Sequence, residues 1–190
     1  ILDQCQVFPD LPSALASSSF VVGTTHRRGR ERELDTPPDE VIGRLVEAAQ
    51  HQRVSLVFGR ERDGLWLEEL QYCHELLCFP TAVDHPSLNL SHAVLLATYK
   101  IYAASLRAVE APPRSLLTSE ESEHLCRHLI TALEAIEFDH YNGDPSHFAR
   151  VLRRVLNRTE LSSRDALVLH KICGQIEKFA ARHGTGGSEA

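Results

Sequence analysis

An α/β fold built on a parallel sheet is the prediction, and three observations carry it. Apolar runs at residues 20–23 and 54–58 have strand length and are separated by a helical pattern, so neighbouring strands must be joined by a crossover. A further strand end is expected near Phe79, which extends the alternation and implies a sheet covered by helices on both faces. Around Ala111, Pro112 and Pro113 the pattern changes, and only helical patterns follow.

In chain order, residues 5–8 are a short apolar run, and Asp10, Leu11 and Pro12 supply the cap and first turn of a small helix that ends at Ser17, Ser18 and Ser19. The strand at 20–23 follows. Thr36 can cap a helix with Pro37 at its first position, and Val41, Leu45, Val46 and Ala49 give that helix one buried face. After the strand at 54–58 and a loop at 59–64, Leu67, Leu70, Cys73, His74 and Leu77 fit a helical stripe running into Cys78, Phe79 and Pro80. A loop at 84–89 leads into a long, mostly apolar helix over about 90–109.

Beyond the prolines, Thr118 with Glu121 makes a capping box for a helix to about Phe138. Asp144 before Pro145 starts a second helix, and Ser162 with Asp165 starts a third that ends near Gly184. The expected units are therefore residues 1–110, a linker at 111–118, a helical extension at 119–183 and a flexible tail at 184–190.

Composition narrows the function. The chain has 190 residues, 43% hydrophobic and 24% charged, which excludes disordered and fibrous classes. A formal charge of −6 argues against a wholesale polyanion binder, so any nucleic-acid contact must use local basic patches. Cys5, Cys73, Cys78, Cys126 and Cys173 contain no CxxC, and read as buried, reduced thiols rather than a disulfide framework or zinc site. The most apolar stretch, residues 93–106, is broken by Lys100 and is too short to span a bilayer. No export signal opens the chain, so a cytoplasmic location is expected. There is no Met, and the expectation from the start at Ile1 is that residues upstream have been removed or left out.

Ligands of such sheets gather at the carboxyl ends of the strands, here at Gly23-Thr24-Thr25, Gly59-Arg60-Glu61 and Phe79-Pro80-Thr81. The loop between residues 58 and 64 lacks both the Gly-Lys-Ser/Thr of a phosphate-cradling loop and the three-glycine dinucleotide fingerprint. ATPase and dehydrogenase readings lose their main support. His124 and His128 share a helical face at metal-ligand spacing, yet no acidic or cysteine partner completes a site, so no metal is expected. Trp66 reads as packing locally, with RNA-base stacking as the alternative if it points into the pocket.

Taken together, Val57-Phe58-Gly59-Arg60-Glu61, Gly64-Leu65, Glu68-Glu69-Leu70, Cys73, Pro80-Thr81 and Pro86-Ser87-Leu88-Asn89-Leu90-Ser91 with Ala93-Val94 strongly resemble the second and third motifs of the SpoU/TrmH branch of the SPOUT methyltransferases. Val21-Val22-Gly23-Thr24-Thr25 with Arg27 and Arg28, and the terminal helices, are similar to a subfamily that methylates the tRNA anticodon loop. The resemblance spans residues 7–179. It implies an α/β domain whose C-terminal part is threaded into a trefoil knot, an exception to the rule against threading.

It further implies a homodimeric RNA 2′-O-methyltransferase acting on tRNA, with rRNA the other candidate. S-adenosyl-L-methionine would lie against backbone at Gly59, Phe79 and Leu88, with Thr24, Thr25 and His26 nearby. Glu61 is a motif residue, for which the physical reading is a carboxylate accepting backbone N–H groups and fixing its loop. Ser87 and Asn89 read either as helix caps or as cofactor neighbours, and Asn89 is the candidate catalytic residue in this chain. RNA contact is expected from Arg27, Arg28, Arg30 and Arg32, and from Arg154 with Arg150, Arg153 and Arg158 on the extension. The family's Asn-x-Gly-x-x-x-Arg motif, whose arginine activates or positions the hydroxyl, does not occur in these residues. A non-catalytic cofactor- or RNA-binding module is accordingly the competing reading, and an unrelated α/β nucleotide binder the third.

Overall fold

The computed structural model describes residues 2–26, 36–81, 88–110, 115–138 and 144–183. Its sheet is parallel: β1 (Phe20–Thr24) lies between β2 (Val54–Val57) and β3 (Glu75–Leu77). Phe20 pairs with Val54 and Thr24 with Leu77, so the carboxyl ends of the three strands finish together.

Side chains alternate across a strand, and a central parallel strand is covered on both faces. Phe20 and Val22 accordingly enter the main core with Val41, Ile42, Leu45 and Val46 of α2 (Pro38–Ala49) and Ala97 of α4 (Leu90–Ser105). Val21 points the other way, onto Leu15 of α1 (Leu11–Leu15) and Cys73. α1 starts as expected, with Asp10 Oδ1 accepting the Ser13 N–H at 2.8 Å.

Two local expectations are corrected. Pro37, not Thr36, occupies the cap position of α2, which begins at Pro38 and has no side-chain cap. The helical stripe over 67–77 divides into α3 (Leu67–Leu70), a turn, and β3. The reason is tertiary: His74 N–H donates to the Val21 carbonyl at 2.8 Å and His74 Nδ1 accepts the Val21 N–H at 3.0 Å, which draws the chain onto the edge of β1. Residues 5–8 form no element, and Val7 is 97% exposed.

Three helices follow, α5 (Ser119–Glu134), α6 (Pro145–Arg158) and α7 (Ser163–His183), around a second core of Leu117, Leu125, Cys126, Leu156 and Ala166. Thr118 and Glu121 cap each other, Asp144 accepts from Ser146 and His147, and Asp165 accepts from Ser162, all as the sequence predicts. Two polar seams join these helices to the sheet layer. Ser119 N–H donates to the Ser18 carbonyl at 2.7 Å, and Asn157 Nδ2 donates to the Gln71 carbonyl at 2.9 Å while Asn157 Oδ1 accepts from Ser122.

Cys73, Cys126 and Cys173 are buried and reduced; Cys5 is exposed and Cys78 half-buried, contrary to the expectation of burial. Burial pushes the Cys73 thiol up to about 12 and Cys126 up to about 11, so neither is a nucleophile at neutral pH. Among the described residues no helix is long and apolar enough to cross a membrane. α4 leaves Leu95, Tyr99, Tyr102 and Leu106 exposed along one side. The expected linker residues 111–114, the tail from 184 and the segment 82–87 lie outside the described residues.

Candidate active site

A cleft of about 200 Å³ opens where the three strands end. Its walls come from Thr24 at the end of β1 with Thr25 and His26 after it, from the loop after β2 including Gly59, Arg60 and Glu61, and from Phe79 and Thr81 after β3. Leu88, Leu90 and Ala93 close it from the start of α4. Seven residues singled out from sequence thus meet in one place: Thr24, Thr25, His26, Gly59, Glu61, Phe79 and Leu88. Ser87, Arg27, Arg28, Arg30 and Arg32 lie outside the described residues.

The strand ends are braced directly. Thr24 Oγ1 donates to the Val57 carbonyl at 3.0 Å, tying β1 to β2, and Thr25 N–H donates to the Leu77 carbonyl at 3.0 Å, tying β1 to β3. The loop after β2 is a miniature hairpin: Arg60 and Gly64 exchange backbone hydrogen bonds of 3.1 and 2.9 Å. Gly64 sits at φ +67°, a conformation glycine adopts without steric cost. A Cβ on Gly59 would lie 2.0 Å from the Gly64 carbonyl carbon and 2.3 Å from Leu65 N. Gly59 is therefore required by the loop's own backbone, a different reason from the close ligand approach the sequence suggested.

Asn89, between Leu88 and Leu90, is not among the residues that line the cleft. Its side-chain Oδ1 accepts from Ser91 N at 2.9 Å and Ser91 Oγ at 2.7 Å, capping α4, and its Nδ2 donates to Glu61 Oε1 at 3.3 Å. Of the two readings for Asn89, capping is the one the geometry displays. Glu61 was expected to accept backbone N–H groups; its partner is the Asn89 side chain, so it links the loop to α4.

Arg60, which the sequence reading did not single out, is a paired charge at the rim. Its guanidinium makes a two-pronged bond to Glu69 at 2.9 and 3.0 Å, and its carbon lies 3.9 Å from the centroid of the Trp66 ring. Glu69 also accepts the backbone N–H of Trp66 at 2.8 Å. The bond to Glu69 holds Arg60 above its ordinary pKa; in Glu69, partial burial works upward but Arg60 and the Trp66 N–H outweigh it and lower the carboxyl. The available signal was adjacency to Gly59 in the same motif.

Arg154 lies elsewhere, with Arg150, Arg158 and His147 of α6, on a second cavity of about 370 Å³ that also reaches Arg44, Gln71 and His74. Arg44 there pairs with both Glu75 and Glu160. Arg153 departs from the basic group: it bonds Glu123 at 2.6 Å and Gln71 at 2.7 Å, a structural duty. The pair His124 and His128 gains partners that sequence spacing could not show, His170 with its Nδ1 2.6 Å from His128 Nδ1, and Glu177 at 3.4 Å from His128 Nε2. The rings of His128 and His170 stack at 4.9 Å, and among the described residues no group of three such side chains is arranged to hold a metal ion.

Comparison with known proteins agrees with this architecture. Residues 5–99 match the model of the SpoU rRNA Methylase family. The chain is 38% identical over 185 residues to the uncharacterized tRNA/rRNA methyltransferase LasT of Serratia marcescens, covering 96% of this chain and 90% of that protein. It is 32% identical over 190 residues to the tRNA (cytidine/uridine-2′-O-)-methyltransferase TrmJ of Photorhabdus laumondii, covering 96% and 77%. The crystal structure of TrmJ from Z. mobilis ZM4 superposes with a TM-score of 0.75 at 24% identity, over 93% of this chain and 75% of that one, a likeness of fold. With the motif loops converging on one cleft and the match spanning the sheet, this chain belongs to the SpoU rRNA methylase family.

Proposed function

We propose that the chain is an S-adenosylmethionine-dependent RNA 2′-O-methyltransferase whose substrate is tRNA, acting as a cytoplasmic homodimer. The observation that carries this is the meeting of residues 24–26, 59–61, 79 and 88 in one cleft at the strand ends. Relatives named as tRNA 2′-O-methyltransferases at 30 to 32% identity support the reaction class and the substrate.

The cleft fits the cofactor's chemistry. Phe79 and Leu88 present apolar surface on which an adenine ring can lie, and the hydroxyl, imidazole and carboxylate groups of Thr25, His26 and Glu61 stand around it. When bound, the cofactor supplies an electrophilic methyl group. The chain's own residues hold the geometry: Thr24 locks β1 to β2, the Arg60–Gly64 hairpin sets the floor, and the Glu61–Asn89 bond fixes the start of α4 against it. In this reading Asn89 is a positioning residue, and Ser87 and the arginines at 27, 28 and 30 complete the site. Removal of the hydroxyl proton falls, by the resemblance, to the arginine of the Asn-x-Gly-x-x-x-Arg motif, which does not occur in the 190 residues.

Four finer features belong to the same proposal: a trefoil knot in the C-terminal part of the α/β domain, the division at about residue 110 into a methyltransferase part and a helical extension, RNA phosphate contacts along Arg150, Arg154 and Arg158, and dimerisation through the exposed side of α4. The arginine row is supported by its common cavity, since three guanidinium groups facing one space suit a polyanion even on a chain of net charge −6.

Calorimetric titration with S-adenosylmethionine and S-adenosylhomocysteine, followed by methyl transfer to unmodified tRNA, tests the proposal. Binding of both is expected. Transfer to a ribose 2′-hydroxyl in addition would show that these residues suffice without the motif arginine, binding without transfer fits a cofactor pocket that lacks it or the non-catalytic module, and the absence of any binding overturns the cofactor assignment.

A further inference from the structure

We infer that Trp66 and Arg60 form a stacking platform for a nucleobase of bound RNA at the mouth of the cleft, an inference that rests on the RNA reading above. Trp66 sits between Leu65 and Leu70, which are buried, yet is itself 50% exposed. An indole recruited only for packing would follow its neighbours inward, because it carries the largest apolar surface of the three. Instead one face of the ring is covered by the Arg60 guanidinium at 3.9 Å, and much of the remainder is left to solvent.

The arrangement is fixed before any ligand arrives. Arg60 lines the cleft, Glu69 holds its guanidinium through two bonds, and the same carboxylate accepts the backbone N–H of Trp66, so the main chain under the indole and the guanidinium over its face are set by one residue. Little side-chain entropy is then left to lose when a base is added to the stack. Pairing with Glu69 offsets the charge of Arg60, which suits the platform to the π-face of a base rather than to a phosphate. Planar guanidinium and indole groups are the surfaces on which unstacked RNA bases are held, without selecting among them by hydrogen bonds. The base in question is one next to the ribose that enters the cleft.

Trp66 is the single tryptophan of the chain, so its fluorescence reports on this site alone. The test titrates the chain with unmodified tRNA and with a short oligoribonucleotide, reading intrinsic fluorescence and, separately, RNA retention on a filter. Quenching that follows saturation is expected, with Trp66→Ala weakening RNA binding about tenfold and Trp66→Phe, which keeps a smaller ring, retaining most of it. Thermal melting and the calorimetric affinity for S-adenosylmethionine show whether either variant has lost its fold. RNA binding without quenching, together with unchanged affinity in Trp66→Ala, overturns the platform while leaving the RNA reading in place. Equal quenching by S-adenosylmethionine alone assigns the indole to the cofactor and overturns it as well. Absence of RNA binding overturns both readings.

Discussion

His74 ties the stability of the sheet to pH through one side chain. Its Nδ1 accepts the Val21 N–H, and burial pushes its pKa down to about 4, with Glu160 and Arg44 acting in opposite directions across the second cavity. The unfolded imidazole titrates near 6.5. Between those values the unfolded chain takes up a proton that the folded chain refuses, so stability falls as pH drops through that window, by about 3 kcal/mol over its full width. His170 is lowered too, by burial and then by His128 and His124, and adds to the loss with the same sign. Urea midpoints measured at pH 7 and near pH 4 should show this drop in the native chain and a smaller one in His74→Gln. Equal slopes in the two proteins would remove His74 from the account. The sequence displays a histidine here, but its role comes from a strand residue 53 positions away.

At the scale of elements, the loop after β2 shows the same division. Its glycines are visible in the sequence as loop residues, whereas the demand on each differs and is set by folding. Gly59→Ala places a methyl group against backbone at 2.0 Å that has no room to move, and should cost about 2 kcal/mol or more while abolishing cofactor binding. Gly64→Ala meets no neighbour but must hold φ +67°, and should cost about 1 kcal/mol with binding weakened rather than lost. Thermal melting with calorimetry on both variants checks the order, and equal effects would contradict it. The caps of α1, α5 and α6 were legible because capping is local, needing only a side chain and an N–H two or three residues on. The stripe over 67–77 misled because a four-residue helix and the strand after it place their apolar residues at spacings that imitate one longer helix.

For the whole molecule, the exposed side of α4 is the feature that a single chain does not explain. Leu95, Tyr99, Tyr102 and Leu106 recur at helical spacing and are each about two-thirds exposed, although the opposite side of the helix buries Ala97 against the core. Exposed apolar patches mark interaction surfaces on soluble proteins, and the proposed dimer would use this one. The double substitution Leu95→Glu with Tyr102→Glu should convert the proposed dimer to monomer in analytical ultracentrifugation, with the melting temperature of the monomer showing a retained fold. A sedimentation profile unchanged by the substitutions would exclude this face. The helical extension is seated by its own seams, at Ser18 with Ser119 and at Gln71 with Asn157, which hold the arginine row of α6 over the second cavity.

What the sequence by itself determined was whatever depends on neighbours along the chain: the alternation of strands and helices, the capping residues, the motif loops and, through them, the family. Parallel pairing with both faces covered also followed, because uniformly apolar strands joined by crossovers have few other solutions. Only the tertiary structure decided which distant residues meet. It brought Asn89 to Glu61, Glu69 to Arg60 beneath Trp66, His170 to His128, and it set Arg154 beside a separate cavity rather than the cleft. Those contacts arise from the packing of separate elements against one another, which no local preference along the chain specifies.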